Sequence, residues 1–398
     1  MDSKLALDGG LPNIKSELKP YVWIDEETIS MVGSLLRTQM LSGFLGQQGT
    51  QFLGGHWVQQ LEAEVSKFGN HDYAVSFNSW TSGLDAIFLA LDLPILSEVI
   101  VPTWTMSATI SSIINAGLTP VFADIDPQTF TISIEDVTRM ISDRTSAICA
   151  VDLFGKPADH LILRELADKH NLVLVSDSAQ CPGGRVNGTA PSKIADIGGY
   201  SLNRHKHLQS GEGGIVVTDN IIYANRLRAL RNHGEVAAPE TTLSKNPIYG
   251  HNWRLGEIEA LIAYRQYLHV EKFLGDRRNY AKQFIKHLND TDGLIVSKFE
   301  EDHDYYILGM RLWPGWNRNF IAEALLAEGI TTLITKYSGL EKLPAFLPFF
   351  KNELKNANEL NEEKFIGLYL AGHTYTDANI GEIVSAFKRV LTDPRAQD

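Results

Sequence analysis

Lys206 lies in the stretch Ser201-Leu202-Asn203-Arg204-His205-Lys206-His207-Leu208-Gln209-Ser210-Gly211-Glu212-Gly213-Gly214, between a serine and a glycine-rich turn. A lysine presented on such a loop offers its amine to a carbonyl compound, which is the chemistry of Schiff-base formation. That chemistry needs companions. Asp177 closes the apolar run Leu172-Val173-Leu174-Val175-Ser176 and is followed by Gln180, while Thr81 and Ser82 stand between the short run Tyr73 to Phe77 and the helical run Leu84 to Leu91. Hydroxyls at a strand-to-helix turn, backed by unpaired amides and the helix dipole, make an anion site. Each feature also has an ordinary reading: Thr81 or Ser82 as a helix cap, Asp177 as a turn cap, Gln180 as a surface amide, Ser201 as a core hydroxyl.

These residues need a frame. Glu98 to Pro102, Pro120 to Ile125, Ala147 to Asp152 and Leu172 to Asp177 read as strands, alternating with helices over Ala108 to Ala116, Asp136 to Met140 and Leu161 to His170. Continuous apolar strands alternating with helices predict a parallel sheet covered on both faces. Ligands of such sheets bind beyond the carboxyl ends of the strands, where Asp177, Thr81 and the residues after Pro102 all fall. Upstream, Val58 to Phe68 has helical apolar spacing and stops at Gly69-Asn70. The first fifty residues are irregular apart from a helix over Asp25 to Arg37, and read as a lid or subunit contact.

Beyond Ile258 the pattern changes. It predicts one long helix from Glu257 to about Leu288, a strand Tyr305 to Leu312, and helices Asn319 to Glu328 and Asn379 to Leu391. Lys351 to Lys364 reads as a solvated surface helix or loop. The expected layout is an N-terminal arm and lid region over 1–50, a large domain over 51–257 and a small α+β domain over 258–398.

Composition narrows the function classes. With 398 residues, 44% of them apolar, the chain buries a large core. A net charge of -12 argues against nucleic-acid or acidic-membrane partners. An anionic substrate must then be met by local Arg, Lys and His. The two cysteines, Cys149 and Cys181, are too few for a disulfide framework and not spaced as a metal site, so no metal is expected. The N-terminus lacks a signal-peptide apolar core, and no run approaches the ~18 apolar residues of a membrane span, which leads to a cytoplasmic expectation.

Taken in order, the motifs resemble the DegT/DnrJ/EryC1/StrS family of sugar aminotransferases, a branch of the fold-type-I pyridoxal-phosphate enzymes in the aspartate aminotransferase superfamily. The resemblance runs over nearly the whole chain: Leu7-Asp8-Gly9-Gly10-Leu11-Pro12, Val101-Pro102-Thr103-Trp104-Thr105, Phe122-Ala123-Asp124-Ile125-Asp126-Pro127, Leu153-Phe154-Gly155-Lys156-Pro157-Ala158-Asp159, Ser176-Asp177-Ser178-Ala179-Gln180, the Ser201 to Gly214 loop, and Gly250-His251-Asn252-Trp253-Arg254-Leu255. It implies an α/β fold, with a large domain built on a mostly parallel central sheet covered by helices and a smaller C-terminal α+β domain. The implied cofactor is pyridoxal 5'-phosphate.

The resemblance also implies roles. Lys206 matches the Schiff-base lysine and Asp177 the carboxylate that keeps the pyridine nitrogen protonated. Gln180 matches a residue beside the ring hydroxyl. Trp80, Thr81 and Ser201 fall in the phosphate cup, Met106 or Trp104 covers the ring, and Asn252 resembles the asparagine sent to the partner subunit's phosphate in a homodimer with shared sites. Three positions depart from the family pattern: Trp80 replaces a frequent glycine, Met106 a frequent aromatic, and Asp152 a frequent histidine.

The implied reaction moves an amino group from L-glutamate or L-glutamine to a keto- or aldehydo-sugar, most often nucleotide-linked, with free sugar acids and cyclitols also in the family. Arg204, His205, His207, Lys336 and Tyr337 are candidate contacts for donor carboxylate or acceptor phosphate, or braces of the loop. Two alternatives stand beside it. One is a sugar dehydratase of the same family, in which histidine replaces the lysine; Lys206 argues against it. The other is a regulator that keeps the fold without the chemistry, for which a degraded site would be the signature.

Overall fold

Seven apolar strands, Tyr73–Phe77 (β1), Glu98–Pro102 (β2), Thr119–Ala123 (β3), Thr145–Val151 (β4), Val173–Asp177 (β5), Ile197–Ser201 (β6) and Gly214–Thr218 (β7), form one sheet in the computed structural model. The structure describes residues 4–46, 49–235, 248–337, 340–351 and 353–397; parts of the predicted arm (1–3, 47–48) and Asn352 of the polar stretch lie outside them. The strand order is β1-β7-β6-β5-β4-β2-β3. Strands β6, β5, β4, β2 and β3 pair in parallel, and β7 runs antiparallel to both β1 and β6. Two reversals put the carboxyl end of β1 on the same edge as those of β4, β5 and β6. Hence the residues after Phe77, Val151, Asp177 and Ser201 converge there.

The expected parallel sheet is present, with differences in detail. The sequence reading left β6, β7 and the helix Ile221–Arg231 unassigned: glycines at 198, 199 and 214 interrupt the apolar runs. The helix after β1 spans Trp80–Ala90, beginning ahead of the predicted Leu84. Its cap is Ser79, whose side chain accepts from the Ser82 amide at 3.0 Å, so neither Thr81 nor Ser82 is the cap.

A second, antiparallel sheet comprises Leu294–Val296 (β8), Ile307–Leu312 (β9), Leu333–Ile334 (β10) and Phe365–Tyr369 (β11), in the order β10-β11-β9-β8. Helices Val270–Leu288, Arg318–Ala327 and Asp377–Leu391 supply apolar faces to its core. The single long helix expected from Glu257 is two. Glu257–Tyr267 packs on His56–Gly69, and a break at Leu268 and His269 precedes Val270–Leu288. Both segments bury one face, so the apolar spacing runs through the break unmarked.

Two stretches read as peripheral are anchored inside. Leu5 is 3% exposed and joins the core of the second sheet, with Leu7, Ile14 and Leu18 packed against it. Lys19–Pro20 pairs with His373–Thr374. The polar stretch after Lys351 buries Leu354, Ala357 and Leu360 in the core of the first sheet, and the Asp124 carboxylate accepts from the amides of Asn356 at 2.7 Å and Ala357 at 2.9 Å. Among the described residues, no helix is long and apolar enough to cross a membrane.

Candidate active site

A cavity of about 670 Å³ opens at the carboxyl edge of the first sheet. Its wall combines Trp80 and Thr81, Thr105, Met106 and Thr109, Asp177 and Gln180, and the loop after Ser201 with Tyr306, Lys336, Tyr337 and Tyr369 from the second sheet and its connections.

The loop that carries Lys206 is closed on itself and tied at its flanks. Within it, the amides of Leu202, Arg204 and Lys206 donate to the carbonyls of Gly213 (2.9 Å), Gly211 (3.0 Å) and Asn203 (2.8 Å). Gly211 adopts φ +88°, a left-handed conformation that suits glycine. Outside it, Trp23 Nε1 donates to the His207 carbonyl at 2.9 Å, and the Tyr369 hydroxyl donates to that of His205 at 2.6 Å. Lys206 itself is thus held by its neighbours' backbone while its side chain stays free for the cavity. The Lys206 Nζ lies 4.9 Å from the centroid of the Tyr306 ring. Burial of the amine lowers its pKa to about 8, against the pull of Asp177 in the other direction.

Asp177 is 4% exposed. Its Oδ1 accepts from Trp80 Nε1 at 2.8 Å and from the Ala179 amide at 3.2 Å, and its Oδ2 from Thr109 Oγ1 at 2.9 Å. Burial raises the carboxyl pKa; Thr109, Trp80, the Ala179 amide and Lys206 oppose that rise. At the same edge lies the N-terminus of the Trp80–Ala90 helix, where Ser79, Trp80 and Thr81 line the cavity and the Ser79 and Ser82 hydroxyls are 2.8 Å apart. Helix amides with no intrahelical acceptor, aligned with the dipole, suit an anion.

Similarity to known proteins agrees with this constellation. The model of the DegT/DnrJ/EryC1/StrS aminotransferase family matches residues 39–387. A UDP-N-acetyl-3-dehydro-alpha-D-glucosamine 3-aminotransferase of Acidithiobacillus ferrooxidans is 34% identical over 303 residues, 75% of this chain and 80% of the relative. A GDP-perosamine synthase of Vibrio cholerae is 32% identical over 74% of this chain and 77% of its own. The solved structure of DesI in the presence of its TDP-sugar product superposes with a TM-score of 0.85 at 27% identity, covering 99% of this chain and 97% of that one. The chain belongs to the DegT/DnrJ/EryC1/StrS aminotransferase family.

In this DegT-family chain the sequence-predicted residues divide into two groups. Lys206, Asp177, Trp80, Thr81, Met106, Gln180 and Ser201 line one cavity, and Asn252 does not. Asn252 is exposed and accepts from Arg254 Nε at 2.8 Å. Of the two candidates for covering a ring, Met106 is 66% exposed at the cavity edge, whereas Trp104 is 1% exposed and packs behind Tyr337 at 5.8 Å between centroids. Gln180 bridges two parts of the molecule: its Oε1 accepts from the Phe154 amide at 2.8 Å, and its Nε2 donates to the Tyr337 hydroxyl at 3.3 Å.

The residues flanking the lysine differ among themselves. His207 is fully buried, and its Nε2 donates to the Asp304 carbonyl at 3.0 Å, bracing the loop against the second sheet. His205 and Asn203 line the cavity, and Arg204 Nε lies 3.4 Å from His205 Nε2. Sequence reasoning missed Thr109, Thr105, Tyr306 and Tyr369. Hydroxyls at 105 and 109, one helical turn apart after a strand end, were the available signal for the first two. The tyrosines come from a distant part of the chain, and nothing local marks them.

Proposed function

We propose that this protein is a pyridoxal-phosphate-dependent aminotransferase that moves an amino group from L-glutamate or L-glutamine to a keto- or aldehydo-sugar, with nucleotide-linked sugars the first candidates. One observation carries the reading: Lys206 and Asp177 line a single open cavity, with a helix N-terminus at its edge. Aminotransferases of this family use pyridoxal phosphate, and the donor set fits it: an amine for the aldehyde, a buried carboxylate for the ring nitrogen, and a helix N-terminus with hydroxyls for the phosphate. The relatives named for UDP- and GDP-linked sugars put nucleotide-linked acceptors first.

When bound, pyridoxal phosphate supplies an electron sink for the pair left on the donor's α-carbon. In the proposed mechanism, Lys206 would hold the cofactor's aldehyde carbon through Nζ and, as a free amine, would carry the proton from the donor's α-carbon to that cofactor carbon, and the reverse for the acceptor. A pKa near 8 leaves a useful neutral fraction for that work. Asp177 would hold the proton on the ring nitrogen. Thr81, Ser201 and the helix N-terminus would hold the phosphate, Gln180 with Tyr337 would border the ring hydroxyl, and Met106 would cover the ring.

We further propose a homodimer in which Asn252 reaches the neighbouring site, supported by its exposed position away from its own cavity. The proposed division into an arm (1–50), a large domain (51–257) and a small domain (258–398) carries exchanges: the segment around Leu354 to Leu360 packs on the large sheet, and Glu257–Tyr267 with Val270 to Leu274 packs on the large domain's other face. A cytoplasmic location is supported by two cysteines that are both free and buried.

The test is incubation of the cofactor-loaded protein with glutamate or glutamine and a panel of UDP-, GDP- and TDP-linked and free keto-sugars. Stoichiometric oxo acid and amino sugar are expected. A deoxy keto-sugar and free ammonia in place of the amino sugar, with oxo acid still released, would select the dehydratase instead. Protein that develops no visible absorption band with pyridoxal phosphate would end the reading altogether.

A further inference from the structure

Position 80 carries an indole where the family pattern has a small residue, and its surroundings are shaped to receive it. Trp80 opens a helix beside the cavity and yet is 7% exposed. Glycines make the room. A Cβ on Gly199 would come within 2.7 Å of the indole Cζ3, one on Gly83 within 3.2 Å of Cε3, and one on Gly214 within 2.6 Å of the Trp80 Cα. Gly199 on β6 and Gly83 on the same helix leave the ring its place between helix and sheet, and Gly214, which opens β7, lets the sheet approach the Trp80 backbone.

That placement delivers Nε1 to Asp177 Oδ1 at 2.8 Å. An indole N–H only donates, so the bond is stronger to a carboxylate than to the neutral acid. Burial acts on Asp177 in the opposite sense. With the Ala179 amide also on Oδ1 and, among the described residues, Thr109 alone on Oδ2, the second oxygen keeps capacity for another donor.

We infer that Trp80 is a positioning residue whose indole N–H fixes the Asp177 carboxylate in its ionised form and in the rotamer that presents Oδ2 to the cofactor's ring nitrogen. The inference rests on the pyridoxal-phosphate reading. It moves the side chain at position 80 from the phosphate turn, where motif order puts it, to the ring-nitrogen side of the site.

Two variants separate hydrogen bonding from space filling. Benzothienylalanine at position 80 exchanges the indole N–H for sulfur at nearly constant shape, and Trp80→Phe removes the donor with part of the ring. Pyridoxal phosphate is titrated into each full-length protein. For the benzothienylalanine protein the dissociation constant should rise about tenfold, the scale of one hydrogen bond to a charged group. The visible absorption maximum of the bound cofactor should shift, and kcat should fall with the sugar KM unchanged. Wild-type affinity, absorption and kcat in that protein, with losses confined to Trp80→Phe, would reduce Trp80 to a filler and overturn the inference. If Trp80→Phe does not fold, the benzothienylalanine protein decides alone. Wild-type protein that binds no pyridoxal phosphate would instead overturn the underlying reading.

Discussion

Asp152, just past the end of β4, is fully buried, and its carboxylate accepts from His160 Nε2 at 2.7 Å, the Ala158 amide at 2.9 Å, Ser178 Oγ at 2.6 Å and Ser176 Oγ at 3.1 Å. Asp177, at the end of the neighbouring β5, accepts from Trp80, Ala179 and Thr109 and borders the cavity across from Lys206. The two are coupled through the backbone, where the Asp152 amide donates to the Asp177 carbonyl at 3.0 Å. What separates them is unused acceptor capacity. Asp152 spends its carboxylate on the turn before His160 and on two serines, so it fixes the edge of the sheet. Asp177 keeps an oxygen with room for a ligand. This also accounts for the aspartate at 152: it pairs with a histidine supplied from position 160.

The largest effect expected is at the group facing Asp177. Lys206→Ala should lose the visible band of the bound cofactor and lower kcat on the order of 10^3-fold or more, with the melting temperature nearly unchanged. Next come the two acids as a matched pair. Asp177→Asn should lower kcat on the order of 10^2-fold and weaken the cofactor while leaving the chain folded. Asp152→Asn should do the reverse, costing about 2–3 kcal/mol of stability in urea denaturation with kcat per folded molecule retained. Loss of the visible band in Asp152→Asn at unchanged stability would break the comparison.

Why the sequence discloses Asp177 and hides its surroundings follows from the same contrast. Apolar runs ending in an acid, a hydroxyl-rich turn and a lysine before glycines are local patterns, and they locate five strands of the sheet, its carboxyl edge and part of the cavity wall. Thr109, Tyr306 and Tyr369 enter through packing between distant segments, and the Trp80 bond to Asp177 depends on glycines at 83, 199 and 214 that no local rule connects to it. The buried stretch after Lys351 was hidden for the same reason: its composition is polar, and only Asp124, far away in sequence, shows why its backbone amides tolerate burial.

A smaller effect sharpens the electrostatic side. With a pKa near 8, the neutral fraction of Lys206 in cofactor-free protein rises about fivefold from pH 7 to pH 8 and less than about twofold thereafter. The rate at which added pyridoxal phosphate develops its visible band should follow that curve and level off above pH 8. A rate that keeps climbing tenfold per unit to pH 10 would mean an ordinary, solvated lysine.

The smallest effects concern the neighbours of Lys206, which repeat the contrast between the acids on a finer scale. His207 is sealed: burial holds its pKa well below the usual histidine value, so it serves as a neutral donor to the Asp304 carbonyl. His207→Ala should therefore cost about 1–2 kcal/mol of stability, measured in urea, without changing either KM. His205 faces the cavity, and Arg204 is exposed beside it. His205→Ala and Arg204→Ala should leave the urea midpoint in place and raise the KM of donor or acceptor about threefold, the loss of one partly solvated polar contact. Unchanged KM values in both would return these two residues to the solvated surface and leave Lys336 and the cavity tyrosines as the groups within this chain that meet the substrate's polar atoms.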